Sequence, residues 1–454
     1  MELINKRYRL GWIVTLGVIL LTILSVSSVW AVSSVTVMCY MNGDNDLSEE
    51  ILHAVDMMET VGSSEAVNVL VLVDGHPDWL GPYDEQWAGA RLLRISHDES
   101  IGQIRSPVIE EWGETNLGEA ATLERFVRTC LRLYPAQRYI FHTFAHGQGV
   151  IDTGAFRLSG PGKALSISRD DTSGRKMSLD QFHQALKQGL DGNRFDLMVL
   201  FSCLSNMVEV GYALSDVTDY LVGSEDEIRL LNDPPGSFQV RGLKFEDFIA
   251  NLRDNPAMPA PELGRWIVDD HIQGYNRDLP VAISGAAPQW VRLKAGMALI
   301  NCGALPDLVR RLDTLAQVLM DAFGNAETTA AFTSVQTASQ RFASFMNLEY
   351  YDLQDFISQL CAATSDPAVY SACERILEVL QPGVVLYERH TEDYRANGMS
   401  IYLSNPLVPE NIFRAHQTLY RACRFSRDTR WDEMIDAYRF QVQQSKIAAN
   451  TASQ

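Results

Sequence analysis

From residue 34 onward, short runs of aliphatic and β-branched residues alternate with longer stretches whose apolar positions recur every three or four residues. The runs at 35–41, 67–73, 91–95, 139–144, 195–201 and 220–222 read as strands. Residues 67–73, VNVLVLV, are apolar enough to be buried on both faces. Between the strands the helical period predicts helices over about 47–60, 117–133, 178–190 and 206–214. Asp46 and Glu49 have the spacing of a capping box for the first helix, Pro135 closes the second, and Ser178 caps the third. Strands alternating with helices give a mostly parallel sheet covered on both sides, an α/β fold. Functional groups in such a sheet gather at the carboxyl ends of its strands.

Beyond about residue 288 the pattern changes. Helical periodicity dominates at 292–324, 328–345, 351–362 and 366–380. Two β-like runs follow at 384–388 and 398–403, then a last helix at about 431–444. The expected organisation is an α/β domain over 32–288, a mainly helical C-terminal subdomain over 289–444 carrying a strand pair, and a polar tail at 445–454. No internal repeat or low-complexity segment interrupts it.

Lys6, Arg7 and Arg9 precede an apolar stretch over 10–30, and Val29 and Ala31 fit the small-residue pattern of a signal-peptidase site. The stretch is long enough to remain as a membrane anchor instead. The strand beginning almost at once afterwards leaves little juxtamembrane linker, which favours cleavage of residues 1–31. The expectation is a secreted, periplasmic or cell-envelope protein, touching a membrane only through 10–30 if that segment is retained. Thirty-eight basic against 57 acidic side chains give a formal charge of −19 over 454 residues, which argues against nucleic acid as a partner.

Two strands end in reactive side chains. The 139–144 run leads into Ala145-His146-Gly147-Gln148-Gly149, and the 195–201 run into Ser202-Cys203. Adjacent parallel strands ending at one edge would bring the imidazole and the thiol together, with His146 lying 57 residues before Cys203, close to caspase-type spacing. A helix starting directly after Cys203 would lower its thiol pKa through unpaired amides and the helix dipole. The imidazole could protonate a leaving amine, and the glycines after it would let backbone N–H groups face a substrate carbonyl. The competing reading is ordinary: a cysteine at the end of a buried strand is more often core than nucleophile. Seven cysteines make an odd number, and Cys39 and Cys130 sit at core positions of a strand and a helix.

The stretches Val37-Met38-Cys39-Tyr40-Met41-Asn42-Gly43-Asp44-Asn45-Asp46-Leu47, Ala145–Gly149, Asp170-Asp171-Thr172-Ser173-Gly174, Cys203–Val210 and Val222-Gly223-Ser224-Glu225 resemble the clostripain family of cysteine peptidases. So do Tyr351–Phe356, Gly398–Leu403 and Trp431-Asp432-Glu433, so the likeness runs in order from about residue 35 to 440. The resemblance implies a caspase-like fold, His146 and Cys203 as catalytic dyad, and the N–H groups of Gly147 and Cys203 at the oxyanion. It also implies a peptide or protein substrate. Family members can depend on calcium, and Asn42, Asp44 and Asp46 resemble part of a calcium loop. That segment lacks the turn glycine and terminal glutamate of an EF-hand, and a turn role is the simpler reading. His142, on the strand four residues before His146, reads as a packed strand residue, and His53, His97, His183 and His390 show no ligand spacing with Cys or Asp, so no metal site is assigned.

The family typically carries Asp-Ala before the nucleophile, the Asp holding a basic P1 side chain. Here the pair is Phe201-Ser202. A phenyl ring cannot pair with a buried cation, which leaves a cost of several kcal/mol unpaid. The expected P1 residue is therefore neutral or apolar, with Glu225 and its acidic neighbours Asp226 and Glu227 as substitute acids if a basic residue is accepted. Asp171 is a further substrate-side candidate. The sequence thus reads as an exported cysteine endopeptidase, and its rival is a non-catalytic caspase-like binding or scaffold protein of the cell envelope. No third member of the dyad is evident.

Overall fold

A computed structural model describes residues 32–83, 87–151, 168–228, 244–275, 279–281, 289–291, 293–342, 349–392 and 394–452. The signal segment at 1–31 lies outside the described residues. Among those described, no helix is long and apolar enough to cross a membrane.

Nine strands form the central sheet: β1 (Ser33–Gly43), β2 (Val67–Gly75), β3 (Ala90–Arg94), β4 (Val108–Gly113), β5 (Ala136–Phe144), β6 (Phe195–Phe201), β7 (Thr218–Gly223), β8 (Gly296–Asn301) and β9 (Val385–His390). Their order is β9-β8-β7-β6-β5-β1-β2-β3-β4. The five strands from β7 to β2 are parallel. Antiparallel strands flank them on both sides, β3–β4 beyond β2 and β8–β9 beyond β7. Parallel neighbours need crossovers, and the amphipathic segments supply them.

The crossover and flanking helices are α1 (Ser48–Glu59), α2 (Ala120–Leu133), α3 (Leu179–Leu190), α4 (Val208–Leu214), α5 (Phe245–Asp254), α6 (Ala260–Tyr275) and α7 (Leu305–Ala322). Successive strand residues alternate between two cores, as a period of two requires. Val37, Cys39, Met41, Phe144 and Phe201 face α1, α5 and α6. Met38, Tyr40, Phe141 and Leu200 face α2, α3, α4 and the C-terminal helices.

Three expectations for the C-terminal part are corrected. Residues 296–301 are not the start of a helix: Gly-Met-Ala-Leu-Ile-Asn is β8, almost wholly buried and paired with β7 and β9, and the helix begins only at Leu305 with Pro306 in its first turn. The two β-like runs do not pair with each other. The first is β9 at the edge of the central sheet, while Ser400–Tyr402 joins Tyr350–Asp352 and Arg341–Phe342 in a small separate sheet. The final helix runs from Trp431 to Ala452, so the segment read as a polar tail is largely helical.

The small sheet is tied to the core through Glu209 on α4. Its Oε1 accepts from Tyr402 N at 3.0 Å and Tyr420 Oη at 2.9 Å. Burial pushes its carboxyl up to about 7. A raised folded pKa means the native state holds this proton more tightly than the unfolded chain does. The contribution is therefore complete below the ordinary glutamate range and lost as pH rises through 7. Glu209→Gln keeps an acceptor for both donors and removes the titration. It should melt with the wild type at pH 5 and about 2 °C or more above it at pH 8, as read by thermal denaturation at the two pH values.

Candidate active site

The pairing of β5 with β6 carries Phe144 opposite Phe201, and Ala145 N donates to Phe201 O at 3.4 Å just beyond the last rung. His146 and Cys203 each follow two residues later. Their loops touch through the backbone: a Cβ on Gly147 would lie 2.2 Å from Cys203 O and 3.1 Å from Cys203 N, so only glycine fits there. The imidazole-bearing and thiol-bearing segments are thus brought to one edge.

The His146 ring finds a partner that sequence reasoning missed. Its Nε2 lies 2.8 Å from Asp46 Oδ1, on the loop after β1, with Arg169 Nη1 3.7 Å from the same oxygen. The hydrogen bond from His146 holds the Asp46 carboxyl down at about 2, so it is ionised near neutrality and can only accept. Nε2 therefore donates and Nδ1 is left for other work. This also corrects the expected capping box. Helix α1 is preceded by Leu47 with no side-chain cap, Asn45 Oδ1 accepts from Leu47 N at 2.9 Å, and the Asp46 carboxylate turns away to the imidazole. The available signal was topological: β1 lies beside β5, so its terminal loop, rich in acid and amide, must meet the histidine loop.

Cys203 does not stand at a helix N-terminus. Residues 203–206 make a turn and α4 begins only at Val208, so the dipole argument for a lowered pKa fails. The turn passes through Leu204 at φ +54°, a left-handed conformation costing roughly 1–2 kcal/mol for a non-glycine residue. Leu204 N donates to Asp226 O at 3.1 Å and Asn206 N to Ser224 O at 2.9 Å, which hold the turn against the segment after β7. That same segment covers the sulfur. Ile228 N donates to Cys203 Sγ at 3.2 Å, and Sγ lies 3.7 Å from Ile228 O, to which the thiol donates. Burial pushes the thiol up to about 11, with the charges of Glu227 and Asp226 adding to it.

Phe201 is fully buried, its ring edge-on to Phe144, Phe245 and His271 in the core beneath the edge. Ser202 is buried, and its hydroxyl finds no hydrogen-bond partner among the described residues. Glu225 is buried too. Its Oε1 accepts from Gly398 N at 2.7 Å, and burial holds the carboxyl well above the ordinary range. Asp171 lies on the other side of His146, ion-paired with Arg169, and its N–H donates to Asp44 O. It joins the Asp46 network rather than the thiol. His142 is packed between the rings of Phe245 and Phe248, as a strand residue.

The side chains of the segment resembling part of a calcium loop are engaged within the protein. Asn42 Nδ2 donates to Ser168 Oγ, both Asp44 oxygens accept from Thr172, and Asp46 serves His146. Among the described residues no group of three or more His, Cys, Asp or Glu side chains is placed to hold a metal.

The C-terminal part grips both loops. Tyr350 Oη donates to Gln148 O at 3.0 Å and accepts from Ile151 N at 3.4 Å, while Gly149, at φ +69°, leaves no room for a Cβ against the Tyr350 ring. Asn206 Nδ2 donates to Gly398 O at 2.6 Å, and Ser400 N donates to Asn206 O at 3.1 Å. These long-range partners carried no local signal.

Comparison with known proteins agrees with this architecture. The model of the clostripain family of peptidases matches residues 39–438. Clostripain from Hathewaya histolytica is 28% identical over 195 residues, 39% of this chain, which spans only 35% of that relative's length. Two solved structures share the fold at 18% identity. A secreted cysteine protease of the family from Bacteroides thetaiotaomicron, in complex with an irreversible peptide inhibitor, has TM-score 0.60 and covers 88% of this chain and all of its own. An inactive zymogen from Parabacteroides distasonis has TM-score 0.58 over 88% and 99%.

The thiol's environment makes a direct prediction. With the sulfur held protonated, carbamidomethylation of Cys203 by iodoacetamide in the full chain at pH 8 should be about a hundredfold slower than for a free cysteine and rise about tenfold per pH unit. Peptide mapping by mass spectrometry gives the rate at this residue; labelling as fast as a free thiol at pH 8 would contradict the covered geometry.

Proposed function

This chain belongs to the clostripain family of cysteine peptidases, and we propose that it is an exported endopeptidase that works through Cys203 and His146, with Asp46 fixing the histidine. The observation that carries the reading is the Asp46–His146 hydrogen bond at the strand end next to the thiol, because a structural cysteine has no need of an oriented imidazole.

In this scheme the Cys203 sulfur attacks the scissile carbonyl carbon and its proton passes to His146 Nδ1. The carbonyl oxygen becomes an oxyanion facing the N–H groups of Gly147 and Cys203. When the C–N bond breaks, Nδ1–H protonates the leaving amine, and water then hydrolyses the thioester to release the acid and restore the thiol. Asp46 accepts from Nε2–H throughout, so the ring does not turn and the imidazolium is balanced by a carboxylate. For the sulfur to attack, Ile228 must leave it, and peptide binding supplies the displacing contacts.

The P1 residue in this reading is neutral or apolar. The ring of Phe201 is surrounded by Phe144, Phe245 and a His271 that burial keeps uncharged, so no negative charge stands at the position where the family has its acid. Glu225 is spent on Gly398 and held uncharged by burial. One observation favours a basic P1 instead: Asp226 and Glu227 lie close enough to act on the thiol. Export rests on the basic, apolar and small-residue pattern of 1–31 and on the relative described as secreted. The rival, a binding protein without turnover, draws on the protonated thiol under Ile228.

A mixed-P1 peptide library read by mass spectrometry separates these. Cleavage after neutral or apolar residues, absent in Cys203→Ala, is expected; equal cleavage after arginine would remove the P1 assignment, and no cleavage by the wild type would favour the rival. Asp46→Asn should lower kcat about 10- to 100-fold with KM nearly unchanged, and Asp46→Glu should recover part of it. The 15N spectrum of the His146 ring should lose its Nε2-protonated tautomer in Asp46→Asn. An equal loss in KM would mean that Asp46 only supports the loop.

A further inference from the structure

Along one edge of the sheet, four neighbouring strands end in register. Phe144 of β5 pairs with Phe201 of β6 and with Met41 of β1, and Gly43 of β1 pairs with Gly75 of β2. Just past these ends stand, in spatial order, Cys203, His146, Asp46 and the pair His76–Trp79. That last pair is absent from the machinery described above. Its rings stack at 4.2 Å between centroids and 33° between planes. Trp79 is 42% exposed, one of few large apolar side chains in the described surface left open to that degree.

The loop that presents it is anchored at both ends. His76 N donates to Gly43 O at 3.2 Å and to Ser48 Oγ at 3.1 Å, and Trp79 N closes a turn onto His76 O at 3.0 Å. Leu80 and Tyr83 are buried directly after it, the tyrosine hydroxyl bonded to Asp56 at 3.0 Å. An indole left in water by a loop otherwise pinned to the core is a preformed platform.

We infer that His76 and Trp79 form a subsite for an aromatic side chain on the leaving-group side of the substrate, three to five residues beyond the cleaved bond; this rests on the peptidase reading above. The direction follows from the chemistry. His146 must reach the leaving nitrogen, and it lies on the β1 side of Cys203, so the departing chain runs from β6 across β5 and β1 toward β2. Strands are about 4.8 Å apart, which places the platform about 14 Å from the sulfur, a span an extended peptide covers in about four residues. The class of side chain follows from the platform. His76 Nδ1 accepts from Asp78 N at 3.1 Å, which fixes the imidazole beside the exposed indole.

Internally quenched peptides with one common sequence up to the first leaving-group residue, extended by either two or five residues, test this. The longer peptides carry Phe, Gly or Arg at the third to fifth positions. The wild type should prefer Phe, and Trp79→Ala should reduce the long-to-short ratio of kcat/KM about tenfold while Trp79→Phe keeps it within twofold. An unchanged ratio in Trp79→Ala, or a preference for Arg, would overturn the assignment. If the wild type cleaves none of them, the peptidase reading has failed. Fluorescence anisotropy of a labelled Phe-containing five-residue peptide on Cys203→Ala, with and without Trp79→Ala, then decides the platform alone: binding that needs Trp79 supports it, and binding indifferent to Trp79, or none, overturns it.

Discussion

Everything at the active edge depends on the register of β5 against β6. Because Phe144 stands opposite Phe201, the two chains leave the sheet at the same height, and two residues of loop on each side suffice to bring His146 and Cys203 to one place. A slip of one residue would turn one of the two loops to the opposite face relative to the other. Gly147 is the point where that tolerance runs out, since its backbone already touches Cys203 O. The small C-terminal sheet makes the arrangement rigid. Tyr350 fixes the loop after the histidine, while Gly398 and Ser400 fix the turn after the cysteine, so residues two hundred positions away keep two short loops facing each other.

Charge is distributed unevenly around this frame, and the asymmetry separates His146 from Cys203. On the histidine side a carboxylate is ionised and accepts from Nε2, which leaves Nδ1 open. On the cysteine side burial, with acids close by, favours a protonated thiol. A site with the thiol protonated is not yet an ion pair, and the segment at Ile228 covers the sulfur with its own peptide. Displacing one segment would expose the sulfur and move it away from an amide that competes with substrate. Burial under this segment, with the acids beside it, therefore accounts for the raised thiol pKa, while in the proposed reaction a peptide bringing its own backbone groups takes the place of Ile228.

The strands of the parallel core were legible because buried runs such as 67–73 and 195–201 have no competing period. Residues 296–301 were not, since six apolar or small residues before a true helix satisfy either pattern, and only β7 and β9 decide. His146 and Cys203 were legible as strand-end residues. Asp46 was visible but misread: Asp-x-x-Glu is a sound local cap, and a histidine 100 residues away outbids it because an ionised, partly buried carboxylate gains more from an imidazole than from an amide. The expected activation of Cys203 by a helix failed for a similar reason. Ser205 and Asn206 spend their polar groups on Leu200, Gly398 and the strand after them, which delays the helix past the turn.

Phe201 shows how a binding residue can be absorbed by the core without disturbing the site. Its strand neighbour Phe144 and the helices α5 and α6 offer only rings to it, so an aspartate here would be buried among Phe144, Phe245 and His271 with no cation on the protein side. Such a carboxylate would be stable only while a substrate cation occupied the pocket, and the empty protein would bear the desolvation cost. Replacing it with phenyl removes that cost and leaves the backbone of 201–203 in place, because the register with Phe144 is set by main-chain pairing and not by the side chain. On the neutral P1 proposed above, selectivity at this edge would come from shape and from groups beyond the strand ends. That reading gives weight to the loops after β1 and β2, where Asp46, His76 and Trp79 stand.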